Sequence, residues 1–175
     1  MVEVLYIGGF TRSGSTIVDR ILGAHSGIVN CGEIRHFWDR SLTGSHLCGC
    51  GVRGSECSFW SAVAEKAFGG WEQAPREEAL RLWSKVDRLA YVLGAMLRGG
   101  QGKGDEMLEA YKAWIEKLYK AIEVVSDGAI IVDSSKHRAY AYILSSIPSI
   151  RLRLVHLVRD PRGVARGQRK FLFAW

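Results

Sequence analysis

No apolar run among the 175 residues approaches the ~18 needed to cross a membrane. The opening Met1-Val2-Glu3-Val4-Leu5 lacks the basic leader of a secretory signal and runs directly into a strand-like segment. A cytoplasmic location is therefore expected. Internal repeats and low-complexity tracts are also lacking, which sets solenoids and arrays aside. Cysteine is sparse, with four in all, and three of them fall between Cys48 and Cys57 as C-x-C followed by a third Cys after six residues. That spacing lacks the C-x₂₋₄-C pairs of common zinc sites. Reduced thiols in a glycine-rich loop are expected, with a metal site as the alternative. The net charge of +6 points to an anionic partner. No basic–aromatic groove is visible to make that partner a nucleic acid.

The stretch that carries most information is Gly9-Phe10-Thr11-Arg12-Ser13-Gly14-Ser15-Thr16. It follows the apolar run Val4–Gly8 and precedes an amphipathic one, Thr16–Leu22, the order of strand, tight turn and helix. A helix start reached in this way offers backbone N–H groups and the positive end of a dipole to an anion. The spacing is that of a Walker A loop, except that Ser15 stands where the lysine belongs and a cation comes earlier, at Arg12.

One domain is expected at this length. Gly27–Cys31 reads as a second short strand and residues 41–58 as a surface loop. Apolar residues from Ala79 to Met96 recur at steps of three and four, predicting one amphipathic helix, and Leu108–Ile122 predict another. The Gly99–Gly104 segment between them reads as a flexible connection. Ala129–Asp133 is a continuous apolar run suited to a parallel strand buried on both faces, with a helix expected from His137 to Ser145. Leu152–Val158 predicts a further strand and Pro161–Lys170 a further helix. The expected fold is α/β, a P-loop-type parallel sheet flanked by helices, with a mainly helical insertion over 60–126. Polar clusters at 9–16, 133–136 and 159–167 all fall at strand ends, where such sheets bind ligands.

Together these motifs resemble the sulfotransferase family, which uses 3′-phosphoadenosine-5′-phosphosulfate (PAPS) as sulfuryl donor. Thr11–Thr16 resembles its 5′-phosphosulfate loop, and Val158-Arg159-Asp160-Pro161-Arg162-Gly163 the start of its 3′-phosphate motif. Ala24-His25 and Cys31-Gly32-Glu33 are similar to the tyrosylprotein branch and its bacterial relatives, and the Cys-Gly-Cys loop ending Cys57-Ser58-Phe59-Trp60 resembles those bacterial members. The resemblance covers Tyr6 to Gly167. It implies PAPS as cosubstrate, no metal requirement for transfer, and a small-molecule, carbohydrate or peptidyl hydroxyl as acceptor. Arg12, Ser13, Gly14, Ser15 and Thr16 would bind the 5′-phosphosulfate, and Arg159 the 3′-phosphate, through a bidentate guanidinium. Glu33 would be the general base, if burial raises its pKa toward neutrality. Arg12 and Lys136 would stabilise the transferring group and the leaving oxygen. His25 and His36 are rival bases.

Two departures stand out. The family places a serine eight residues after the arginine of the 3′-phosphate motif, where this chain has Gly167, with Arg166, Gln168 or Arg169 as substitutes. The sequence also stops within the apolar run Phe171–Trp175, the expectation being a shortened form with poor donor affinity. Two other functions stay open: a P-loop kinase or NTPase using Asp133 as a Walker B aspartate on Mg²⁺, and a non-catalytic nucleotide-binding domain. The acceptor and any homo-oligomer are beyond the sequence.

Overall fold

The computed structural model describes residues 1–41, 47–97 and 105–172. Four parallel strands form one sheet in the order β2-β3-β1-β4: β1 (Val2–Gly9), β2 (Ile28–Asn30), β3 (Ile130–Lys136) and β4 (Ile150–Leu157). β1 is central, pairing with β3 on one side and β4 on the other. The chain leaves β1 through α1 (Ser15–Leu22) and skips one place to reach β2. It leaves β3 through α6 (Arg138–Ser145) and crosses β1 in the opposite direction to β4. Right-handed crossovers running in opposite directions place α1 and α6 on opposite faces. The parallel α/β sheet expected from the alternating pattern is the one observed.

Between β2 and β3 lie α2 (Ser58–Phe68), α3 (Arg76–Val86), α4 (Leu89–Leu97) and α5 (Glu106–Val125). α5 packs on the face that carries α6, and α2 and α3 pack on α5. The core sits here, where Val2, Val4 and Tyr6 of β1 meet Ile115, Leu118, Tyr119 and Ile122 of α5. An aromatic group built on Phe37 fills the far side, with Trp71 stacked on it and Trp38 and Trp60 at ring-centroid distances of 5.1 and 5.6 Å.

The structure corrects three expectations. The periodic run from Ala79 to Met96 is not one helix: it breaks at Asp87, whose carboxylate is fully buried against Arg35 and His137. A tertiary ion pair there overrides a periodicity that continues through the break. β3 runs on to Lys136, three residues beyond the end of the expected Ala129–Asp133 strand. Of the loop read over 41–58, residues 42–46 lie outside the described residues, and the rest buries Cys57 and forms a short 3₁₀ turn at Gly54–Glu56. The Gly99–Gly104 connection and residues Phe173–Trp175 lie outside the described residues.

Asp133 is wholly buried, and burial pushes its carboxyl up to about 6 against the bonds from Ser135 and Tyr119. Tyr119 Oη donates to it at 2.5 Å, and the Ser135 N–H at 2.8 Å. A carboxyl whose folded pKa is raised favours folding while protonated. That advantage is lost as pH rises from its unfolded value of about 3.9 through about 6. Asp133→Asn is therefore expected to gain about 3 kcal/mol on the wild type between pH 4 and 7. Denaturant titrations of both proteins across that range check it; parallel curves would contradict the assignment.

Candidate functional site

The carboxyl ends of β1, β3 and β4 open into one cleft of about 1370 Å³. Its wall includes Gly9–Arg12 and Gly14–Thr16 from the end of β1 onward, Ser135–His137 at the end of β3, and Arg159 and Gly167 beyond β4. Glu33, Arg35, His36 and Arg40 close it from the segment after β2. Arg12, Glu33, Lys136 and Arg159, distant in sequence, are thus brought together, and so is rival base His36. His25 is not: it is exposed after α1 and lines neither large cavity.

The loop is shaped by backbone geometry. At Gly9 a Cβ would stand 2.6 Å from the Leu157 carbonyl oxygen, so β1 and β4 can close only around glycine. Gly14 caps α1 in the left-handed region, at φ 96°, and supplies no side-chain cap. The first N–H groups of a helix have no intrahelical acceptor, so an uncapped start suits an anion. Ser13 Oγ is buried beside this turn without a hydrogen-bond partner among the described residues. Ser13 itself lies behind the cleft wall, while Ser15 and Thr16 face it.

Three non-glycine residues among those described have positive φ, and two of them are Arg12 (64°) and Lys136 (62°). Each costs of order 1–3 kcal/mol in backbone strain. Lys136 ends β3, Arg12 lies three residues beyond the end of the neighbouring β1, and both line the same cleft.

Glu33 sits among cations. Lys136 Nζ hydrogen-bonds its Oε1, Arg40 reaches Oε2 at 3.1 Å, and His36 Nε2 lies 3.8 Å away. Burial pushes the carboxyl up, but the Lys136 hydrogen bond and the charges of Lys136, Arg40 and His36 outweigh it and hold it below its ordinary value. The condition set for a general base, a pKa raised by burial, is not met in this cleft. His36 is itself pulled down, chiefly by burial, against the hydrogen bond its Nδ1 makes to Asp39 at 3.1 Å.

Beyond β4, α7 (Pro161–Leu172) docks on the loop. Arg159 Nη1 donates to the Arg12 carbonyl at 2.9 Å, and Gln168 Nε2 to Thr11 Oγ1 at 3.3 Å. A Cβ at Gly167 would sit 3.2 Å from Arg12 Cβ. The serine absent from this position is thus replaced by a close approach of helix to loop. Gln168 is spent on that contact.

Sequence reasoning missed Asp87, Arg35 and His137. Asp87 accepts from Arg35 Nε at 2.5 Å and pairs with His137 Nδ1 at 2.9 Å. Arg35 also lies over the Trp83 ring at 4.8 Å. The signal available was local: Arg35 follows Glu33 by two residues and His137 follows Lys136. Asp133, by contrast, does not reach the cleft. Its carboxylate is occupied by Tyr119 and Ser135 on the α5 face.

No protein-family model, curated protein or solved structure matches this chain.

Proposed function

We propose that the chain is a PAPS-dependent sulfotransferase, moving a sulfuryl group to an acceptor hydroxyl by in-line transfer. The observation that carries this reading is the convergence of Arg12, Lys136 and Glu33 on one cleft beside an uncapped helix start. The start of α1, with Ser13 to Thr16, holds the donor's 5′-phosphate. Arg159 serves the 3′-phosphate from the opposite end of the loop it already braces. The donor supplies an activated sulfuryl group on an anionic leaving phosphate.

Within the cleft, Lys136 has two competing anions: the Glu33 carboxylate and the bound donor. A donor that attracts Lys136 leaves Glu33 with less positive charge around it, and its pKa rises toward the range useful for a base. Arg12 and Lys136 both line the cleft, so their charges are in place around the transferring group. Of the two supports of the kinase reading, the Walker-like spacing and Asp133, the second is a buried β3 residue that does not line the cleft.

Acceptor-dependent release of 3′,5′-adenosine bisphosphate from PAPS, across a panel of phenols, sugars and tyrosyl peptides, tests the proposal. Wild type is expected to release it, and Lys136→Ala to lose roughly 10²–10³-fold in turnover, as when one preorganised charge donor is removed. Binding without release for every acceptor would make this a non-catalytic nucleotide-binding domain.

A further inference from the structure

The segment from Leu47 to Cys57 turns back on itself beside the aromatic core. Leu47 bridges Arg53 in antiparallel fashion, the Cys48 N–H donates to the Val52 carbonyl at 2.7 Å, and the Gly51 N–H to the Cys48 carbonyl at 2.9 Å. Gly51 takes a φ of 92°, which lets so tight a turn close. The turn carries Cys48 and Cys50 to the buried Cys57, directly before α2. All three Sγ atoms lie within 4.8 Å of one another, and Cys50 Sγ is 3.6 Å from Cys57 Sγ. All are free thiols.

Two sulfurs that each bind a tetrahedral zinc at about 2.3 Å stand about 3.8 Å apart. Cys50 and Cys57 stand close to that spacing, and Cys48 lies within 4.8 Å of both. Cys57 is the N-cap of α2, at the positive end of that helix, where a thiolate is favoured. Cys31 lies outside the trio, although it lines the same cavity of about 780 Å³.

We propose that Cys48, Cys50 and Cys57 form a thiolate site for one zinc-class divalent cation, its fourth position open to solvent. Soft sulfur ligands select such a metal over magnesium or calcium. Binding releases the thiol protons and involves no change of oxidation state. The cavity shares Thr16, Glu33, His36 and Arg40 with the cleft, so the metal would pin the wall behind Glu33 without entering the transfer chemistry.

Cobalt(II) titration of the full, reduced, metal-depleted chain tests this. About one equivalent is expected to produce thiolate-to-cobalt charge-transfer bands and the intense visible bands of tetrahedral cobalt, both displaced by zinc. Cys31→Ser should keep that spectrum, and Cys48→Ser, Cys50→Ser or Cys57→Ser should lose it. Should the serine variants misfold, zinc on the wild type is expected to protect three of its four thiols from alkylation. Absence of the tetrahedral spectrum in the wild type, its loss in Cys31→Ser, or unchanged alkylation with zinc would overturn the site.

Discussion

Glu33→Gln is expected to lower turnover by roughly 10²–10⁴-fold, the range of a lost general base, while affinity for 3′,5′-adenosine bisphosphate holds or rises. The direction of the binding change follows from the ion pair with Lys136. Removing the carboxylate's charge leaves Lys136 to the nucleotide alone. The pH dependence carries a second signature. Glu33 is held below its ordinary value in the free cleft, so the acid limb of kcat/KM, which reports free enzyme, should lie lower than a glutamate normally gives. With the donor bound and Lys136 shared, the acid limb of kcat should move to higher pH. Stopped assays over a pH series, beside calorimetry of both proteins, measure all three quantities. Turnover unchanged in Glu33→Gln would remove Glu33 from the role and return His36 to consideration.

Asp87→Ala is expected to destabilise the fold by about 3–5 kcal/mol, the cost of breaking a buried ion pair from one side. Asp87 has no exposed side-chain surface and joins Arg35, before the π turn at Phe37–Ser41, to His137, at the start of α6. Although paired twice, its carboxyl lies above the ordinary value, because burial outweighs the charges of Arg35 and His137. The intact network therefore adds little net stability, yet its disruption leaves Arg35 without its counter-charge. For a domain with a typical total of about 5–15 kcal/mol this is a large fraction. The melting temperature should fall by roughly 10 °C or more. Asp87→Asn, which keeps the shape and one acceptor, should fall less. A melting temperature of Asp87→Ala equal to wild type would show that the break between α3 and α4 has another cause.

Legibility in the sequence followed the range of the interaction. β1, the glycine turn and α1 are set by neighbours in sequence, and strand and helix periods mark them directly. Lys136 and Arg159 could be placed because each ends or follows a strand, and strand ends in a parallel sheet meet at one edge. What escaped depends on partners far along the chain. The break at Asp87 is invisible in a continuous apolar pattern, because its cause lies 52 and 50 residues away at Arg35 and His137. The effect of Lys136 on Glu33 is likewise a contact across 103 residues. It reverses the sign of the expected pKa shift. Gly167 read as a lost ligand until its contact with Arg12 gave it a packing role. The spacing of Cys48, Cys50 and Cys57 does not reveal that the turn at Gly51 brings their sulfurs within 4.8 Å of one another.

The central claim concerns which anion the Gly9–Thr16 loop accepts. Isothermal calorimetry of the full chain with 3′,5′-adenosine bisphosphate and, separately, with Mg-ATP tests it most directly. Micromolar binding of the bisphosphate is expected, with ATP at least about tenfold weaker, a difference of about 1.4 kcal/mol. Lys136→Ala and Arg159→Ala should each weaken the bisphosphate. Preference for Mg-ATP, or binding of the bisphosphate indifferent to both substitutions, would contradict the assignment of this cleft to a sulfuryl donor.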